Sequence, residues 1–318
     1  MRQEEKRKRN KYVAAAIVII VAAAFAAAVL FALRGNVSFF SGLENTLGGR
    51  KAQNSPSSPA FAGESGGMSV YFIDVGEGDC SLIVCDGKTM LIDSGERASY
   101  DSVAMTLDSL GISRLDYIVA THMHSDHIGA LSEVLNDYGT DLFLMPKLPL
   151  ELTPTSKAYS DMLEALVAND VEVRETVAGD TYSLGSAVIC VLGPLTTETE
   201  NVNDTSAIIK ITYGEVSYLF TGDAEAEEET ALLSAGADLK ADVLKVAHHG
   251  SGSSSCSEFL RAVSPLVCII SVGAYNDYGH PNDAVVRRLS GYTKKIYRTD
   301  VCGTVCVRTD GEKTEVTF

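Results

Sequence analysis

Three of the six histidines in this 318-residue chain fall within six positions, in the stretch ATHMHSDHIG at 120–129. His122, His124, Asp126 and His127 therefore share one loop. The run LDYIVAT before them is rich in β-branched and aromatic residues, which predicts a buried strand. IGALSEVLNDYG after them has the apolar spacing of a helix. A strand that delivers four polar side chains to its C-terminal end and then turns into a helix points to an α/β fold.

The flanking sequence follows the same scheme. MSVYFIDV, CSLIVC and TMLIDS, from Met68 onward, read as strands joined by tight turns at GEGD and DGK. SYDSVAMTLDSLG reads as a helix ending on Gly111. A second set comprises strands at AVICVLG, SAIIKITYG and VSYLFTGD, a helix through AEAEEETALLSAG and a strand at ADVLKVAHHG. PLVCIISVG, a helix around NDAVVRRLSG and short strands complete the chain to Phe318. Two β-rich halves with interleaved helices predict stacked sheets covered by helices, in one domain over residues 68–318.

The N-terminal part is different in kind. Residues 12–33, YVAAAIVIIVAAAFAAAVLFAL, carry no charge. As a helix they would extend roughly 33 Å, enough to cross a bilayer core and longer than the apolar part of a signal peptide. Residues 1–11 hold Arg2, Lys6, Arg7, Lys8, Arg9 and Lys11. The expectation is a cytoplasmic basic tail, a single transmembrane helix and an exported domain. Residues 34–67, rich in Ser, Gly, Pro and Ala, read as a flexible linker.

Beyond residue 33 the chain keeps 20 of its 26 basic and 40 of its 42 acidic residues, a net charge of −20. That balance excludes loose nucleic-acid binding through overall charge, while a local site or bound metal ions can still hold a phosphate. The seven cysteines form no CxxC pair and sit mostly in apolar runs such as PLVCIIS, where they read as small buried hydrophobes.

Imidazole nitrogens and carboxylates bind zinc-like cations, and alternate residues of a strand-end loop aim at one point. His122 and His124 would converge on one metal ion, while Asp126 and His127 would turn toward a second. The HxHxDH spacing resembles the metallo-β-lactamase superfamily, and LFTGD and LKVAHHGS add Asp223 and His248. This resemblance implies an αββα sandwich, hydrolase activity and two divalent metal ions, zinc or manganese. It assigns His122, His124 and Asp223 to the first ion and Asp126, His127, Asp223 and His248 to the second.

The ordered series FIDVGEGDC, LIDSG, THMHSDHIGAL, NVNDTSAIIKI, YLFTGD, LKVAHHGS, ISVGAYNDYGHP and IYRTDVCGTV is similar to the ComEC-type branch. Members of that branch carry this hydrolase domain on a bacterial DNA-uptake channel with many membrane helices. Here one apolar run stands in place of the channel, implying a stand-alone relative in the bacterial cell membrane.

Other superfamily members have a further metal histidine before the bridging aspartate, yet no histidine lies between His127 and His248. NVNDTS occupies that region, where Asn203 or Asp204 would complete the first site, hold a water or only shape a turn. Glu77 replaces the glutamine usual in the ComEC-type branch. Asp79 and Asp93 match positions beside the site and are expected to orient neighbouring groups. His249 and His280 are expected to protonate a leaving oxygen or to bind substrate. The run Glu225, Glu227, Glu228 and Glu229 reads as a solvated face at a helix start.

The expected function is an exported, membrane-tethered hydrolase that cleaves phosphodiester bonds with a hydroxide generated on the metals, nucleic acid being one substrate. Two alternatives stand beside it: hydrolysis of small cell-envelope phosphoesters such as phosphorylcholine esters, and a metal-containing binding protein without catalysis.

Overall fold

A computed structural model of the chain describes residues 66–196 and 198–318. The basic tail, the apolar run at 12–33 and residues 34–65 of the expected linker lie outside the described residues. Among the described residues, no helix is long and apolar enough to cross a membrane.

Alternation of buried and partly exposed residues sets up two sheets. In β1 (Met68–Phe72), Met68, Val70 and Phe72 are buried while Ser69 and Tyr71 are less so, the period of two expected of a strand. β1 pairs antiparallel with β2 (Ser81–Cys85), which pairs antiparallel with β3 (Lys88–Ile92). From β3 the pairing turns parallel through β4 (Leu115–Val119), β5 (Thr140–Met145) and β6 (Glu172–Glu175). The second sheet begins with β7 (Thr181–Leu184), β8 (Ala187–Gly193), β9 (Ile208–Tyr213) and β10 (Val216–Phe220), all antiparallel. It continues in parallel through β11 (Val243–Lys245), β12 (Val267–Ile270) and β13 (Ile296–Arg298). The chain then returns to the first sheet as β14 (Val305–Thr309) beside β1, with β15 (Thr314–Thr317) at the edge.

Three apolar layers hold these elements. Between the sheets, Val70, Phe72, Ile83, Ile189, Ile211, Tyr218 and Phe220 share one core, and the Phe72 and Phe220 rings stack 6.0 Å apart. Outside the first sheet, Val103 and Leu107 of helix Tyr100–Ser109 and Met162 of helix Lys157–Ala168 pack over Leu82 and Ile118. Outside the second, Leu232, Phe259, Leu260 and Leu289 bring helices Ala226–Ala235, Ser257–Val263 and Asp283–Leu289 over Leu219 and Leu244. Each fully buried large side chain removes enough apolar surface to contribute about 1.5–3 kcal/mol. The result is an αββα sandwich, the metallo-β-lactamase fold.

Several details differ from expectation. The helix expected over 128–139 is two pieces, Ser125–Ile128 and Leu131–Asp137. β5, β6, β7, helix Lys157–Ala168 and helix Ser257–Val263 were not anticipated. The glutamate run is not a solvated face, because Glu228 and Glu229 are buried. The backbone N–H groups of Leu195 and Thr196 donate to Glu228, each at 2.8 Å, and that of Cys256 donates to Glu229 at 2.8 Å. Carboxylates at a helix start that find loop N–H donors can be buried without leaving a charge unsatisfied.

Candidate metal centre

Loops after β1, β3, β4, β10, β11 and β12 meet at one place, and all six histidines of the chain gather there. The loop after β1 crosses the histidine loop at close range: the Asp79 N–H donates to the Asp126 carbonyl at 3.2 Å. Gly78 makes this crossing possible, having φ +126° and an approach at which a Cβ would lie 2.2 Å from the Asp126 carbonyl oxygen. After β11 two successive residues, His248 and His249, adopt left-handed backbone conformations with φ of 49° and 51°. Such residues cost about 1–3 kcal/mol each and gather at functional sites. Here the turn sends two adjacent imidazoles to different parts of one cavity.

Asp223 is the hub. Its Oδ1 lies 3.2 Å from Nε2 of His127. Its Oδ2 lies 3.8, 3.7 and 3.5 Å from Nε2 of His122, His248 and His249. On one side, Nε2 of His122 and Nδ1 of His124 are 3.0 Å apart. On the other, donor atoms of Asp126, His127, Asp223 and His249 all lie within 4.8 Å of one another.

Both adjacent imidazoles face Asp223, His248 at 3.7 Å and His249 at 3.5 Å. The imidazole that joins Asp126, His127 and Asp223 is that of His249, whose Nε2 lies 3.2 Å from Asp126 Oδ2. The Ser271 carbonyl, 3.0 Å from Nδ1 of His249, holds the ring so that Nε2 faces inward. His248 also lines the cavity, with Nδ1 3.1 Å from Glu225 Oε1.

Asp93 and Asp79 stand behind the donors. Asp93 lies 2.8 Å from Nδ1 of His127 and accepts from the backbone N–H and hydroxyl of Thr121. Asp79 lies 3.3 Å from Nδ1 of His249 and 2.6 Å from the Lys245 ammonium.

The alternatives at NVNDTS separate cleanly. Asp204 Oδ1 accepts from the backbone N–H groups of Glu225 and Glu228, and Oδ2 from the Asn201 amide, so its carboxylate secures the helix start. Asn203 faces the cavity: its Nδ2 donates to Glu225 at 2.9 Å, and its buried Oδ1 has no hydrogen-bond partner. His280 also lines the cavity, its Nδ1 3.4 Å from Glu77 Oε1.

The donors fit divalent metal ions. His127 Nε2 and Asp223 Oδ1 are buried, face each other and have no hydrogen-bond partner. Burial pushes the His122 pKa well down, and neighbouring His127 adds to the shift, favouring the neutral ring that metal ligation requires. Burial opposes charge on His127 and His249 too, yet Asp223 and its neighbours raise both well above the ordinary value. Burial likewise opposes ionisation of Asp223, but His127 and His249 hold it well below the usual carboxylate range. Mixed imidazole and carboxylate donors that converge in one buried pocket thus fit divalent metal ions.

Comparison with known proteins shows the family. The sequence profile of the metallo-beta-lactamase superfamily matches residues 73–273. ComE operon protein 3 of Bacillus subtilis (strain 168) is 30% identical over 257 residues, covering 75% of this chain and 33% of that protein. Recombination protein 2 of Haemophilus influenzae is 32% identical over 249 residues, covering 77% of this chain and 29% of that protein. The chain thus has homology to the ComEC-type competence proteins and spans about a third of the length of these relatives. Among solved structures, CmlA, a diiron beta-hydroxylase from Streptomyces venezuelae, superposes with a TM-score of 0.53 at 16% identity. That likeness covers 80% of this chain and 55% of CmlA, and is one of fold alone.

Proposed function

The chain belongs to the metallo-β-lactamase superfamily, and from that premise we propose that it is a metal-dependent hydrolase of phosphodiester bonds. The observation that carries this reading is the convergence of Asp126, His127, Asp223 and His249 within 4.8 Å, with His122 and His124 across Asp223. His122, His124 and Asp223 would hold one divalent ion, and Asp126, His127, Asp223 and His249 the other. Such ions supply positive charge to phosphate oxygens and lower the pKa of bound water.

The rest of the chemistry belongs to the chain. Asp93 accepts from Nδ1 of His127, and the Ser271 carbonyl from Nδ1 of His249, so each Nε2 is the nitrogen turned toward the donor cluster and would ligate a metal ion. Glu225 orients His248 in the same way, and the Asn203 amide holds Glu225 in turn. His248 Nε2 is thereby placed to hold a proton for a departing oxygen. The His280 ring, 5.4 Å from that of His248, faces the same space.

A relative named for recombination supports nucleic acid as the substrate. The charge-free run at 12–33 behind a basic tail supports a single-pass membrane tether, with the hydrolase outside the cytoplasm.

The test is hydrolysis of bis(p-nitrophenyl) phosphate by the full chain loaded with manganese or zinc, beside Asp223→Ala, with metal content measured for both. Metal-dependent turnover lost in the variant is the expected result. Full metal content without turnover on any phosphodiester would overturn the reading.

A further inference from the structure

The loop between β12 and helix Asp283–Leu289 exposes two large aromatic side chains, Tyr275 at 100% and Tyr278 at 73%. Tyr278 lines the cavity of about 310 Å³ that also contains Asp126, Asp223 and His249. Its ring stacks on that of His280, with centroids 5.7 Å apart and planes 21° from parallel. One face is therefore backed, and the high exposure of the side chain leaves the other to solvent.

Hydrogen bonds within the loop hold this platform in place. The Asn276 amide donates to the carbonyls of Gly273 and His280 at 2.9 and 2.8 Å and accepts from the His280 N–H at 2.9 Å. Glu77, which accepts from the Gly273 N–H at 2.8 Å, lies beside the His280 ring. A surface fixed in advance loses little entropy when it binds.

We propose that Tyr278, backed by His280, is the stacking platform for a nucleobase next to the scissile phosphodiester, making single-stranded nucleic acid the substrate class. The inference rests on the phosphodiesterase reading above and adds to it a residue that selects substrate.

Three observations favour it. The net charge of −20 beyond residue 33 opposes attraction of phosphates at long range, so contacts independent of charge are needed beside those a bound metal ion would make. Stacking of a base on an aromatic ring is such a contact and tolerates any sequence. A base still inside a duplex has both faces covered and cannot offer one to Tyr278, which selects unpaired strands. Finally, recognition of a quaternary ammonium group favours a cage of aromatic rings. Among the described residues lining this cavity Tyr278 is the only tyrosine, phenylalanine or tryptophan, a flat surface rather than a cage.

The test compares two short strands of equal length and charge, oligodeoxyadenylate and its wholly abasic counterpart, as substrates of the metal-loaded full chain. Wild type is expected to favour the base-bearing strand in kcat/KM by about tenfold. In Tyr278→Ala that preference should fall to about one, and Tyr278→Phe, which keeps the ring, should restore it. A preference unchanged in Tyr278→Ala would overturn the inference while leaving the hydrolase reading intact.

A binding measurement decides the matter even if neither strand is cut. The chain has no tryptophan, so Tyr278→Trp introduces a single reporter. Quenching of its fluorescence by oligodeoxyadenylate and not by the abasic strand is expected. No quenching, or quenching by phosphorylcholine alone, would overturn the proposal.

Discussion

Asp93 Oδ2 lies 2.8 Å from Nδ1 of His127, and both side chains are fully buried. Asp93 directly follows β3 and His127 lies in the short helix Ser125–Ile128 after β4, so the contact ties two neighbouring parallel strands beyond their C-terminal ends. It also sets which nitrogen of His127 carries the proton, and hence which one faces the donor cluster.

Asp93→Asn keeps the shape but removes the charge that holds this tautomer. Partners of this kind typically account for about 10–100-fold in metal affinity. Competition with a chromophoric chelator should show a loss in that range, and unchanged affinity would deny Asp93 the role.

His248 and His249 should respond differently to truncation. His249→Ala removes a donor from the group around Asp223 and is expected to bind about one metal ion fewer per chain. His248→Ala should keep its metal content and lose turnover instead. Elemental analysis beside the phosphodiester assay separates the two, and reversed outcomes would make His248 the metal donor, as the sequence resemblance implies.

Lys245 and Asp79 form a buried pair 2.6 Å apart beneath the site. Lys245→Met leaves the Asp79 charge without its main partner, a loss typically of about 3–5 kcal/mol. Urea unfolding of the full chain should show a lower midpoint with an unchanged slope. A change below about 1 kcal/mol would mean that His249 alone compensates Asp79.

Glu228 gives stability a pH dependence of known sign. Burial raises its pKa, and the hydrogen bonds from Thr196 and Leu195 offset this only in part. The folded chain therefore holds the proton more tightly than the unfolded chain. Stability should fall as pH rises from the ordinary glutamate value through the raised folded value, then level off. Glu228→Gln should flatten that fall in thermal melts across mildly acidic pH, and a fall of equal depth in the variant would assign it to another group.

Much of the molecule was legible in advance because its signals are local. Strands such as MSVYF alternate cleanly, and the helices at 100–109 and 283–289 show their apolar spacing. The region from Thr140 to Leu184 was not legible, for identifiable reasons. β6 (EVRE) is an exposed edge strand with no apolar alternation, and β7 buries only Leu184. Helix Ser257–Val263 follows the GSGSSS loop closely, and its cap is the Cys256 sulfur, a residue outside the usual set of helix caps.

The site divides along the same line. Residue type and spacing alone determined that His122, His124, Asp126 and His127 leave one strand end together, because four side chains on six residues of loop cannot be far apart. Only the tertiary structure shows that His249 joins Asp126 and His127 beside Asp223, since its ring is turned by the backbone angles and by the distant Ser271 carbonyl. It likewise separated Asn203 from Asp204, because the N–H groups of a helix start 21 and 24 residues further along claim the Asp204 carboxylate. Ligand types are a property of the sequence; which donor faces the metal depends on partners that folding brings from elsewhere in the chain.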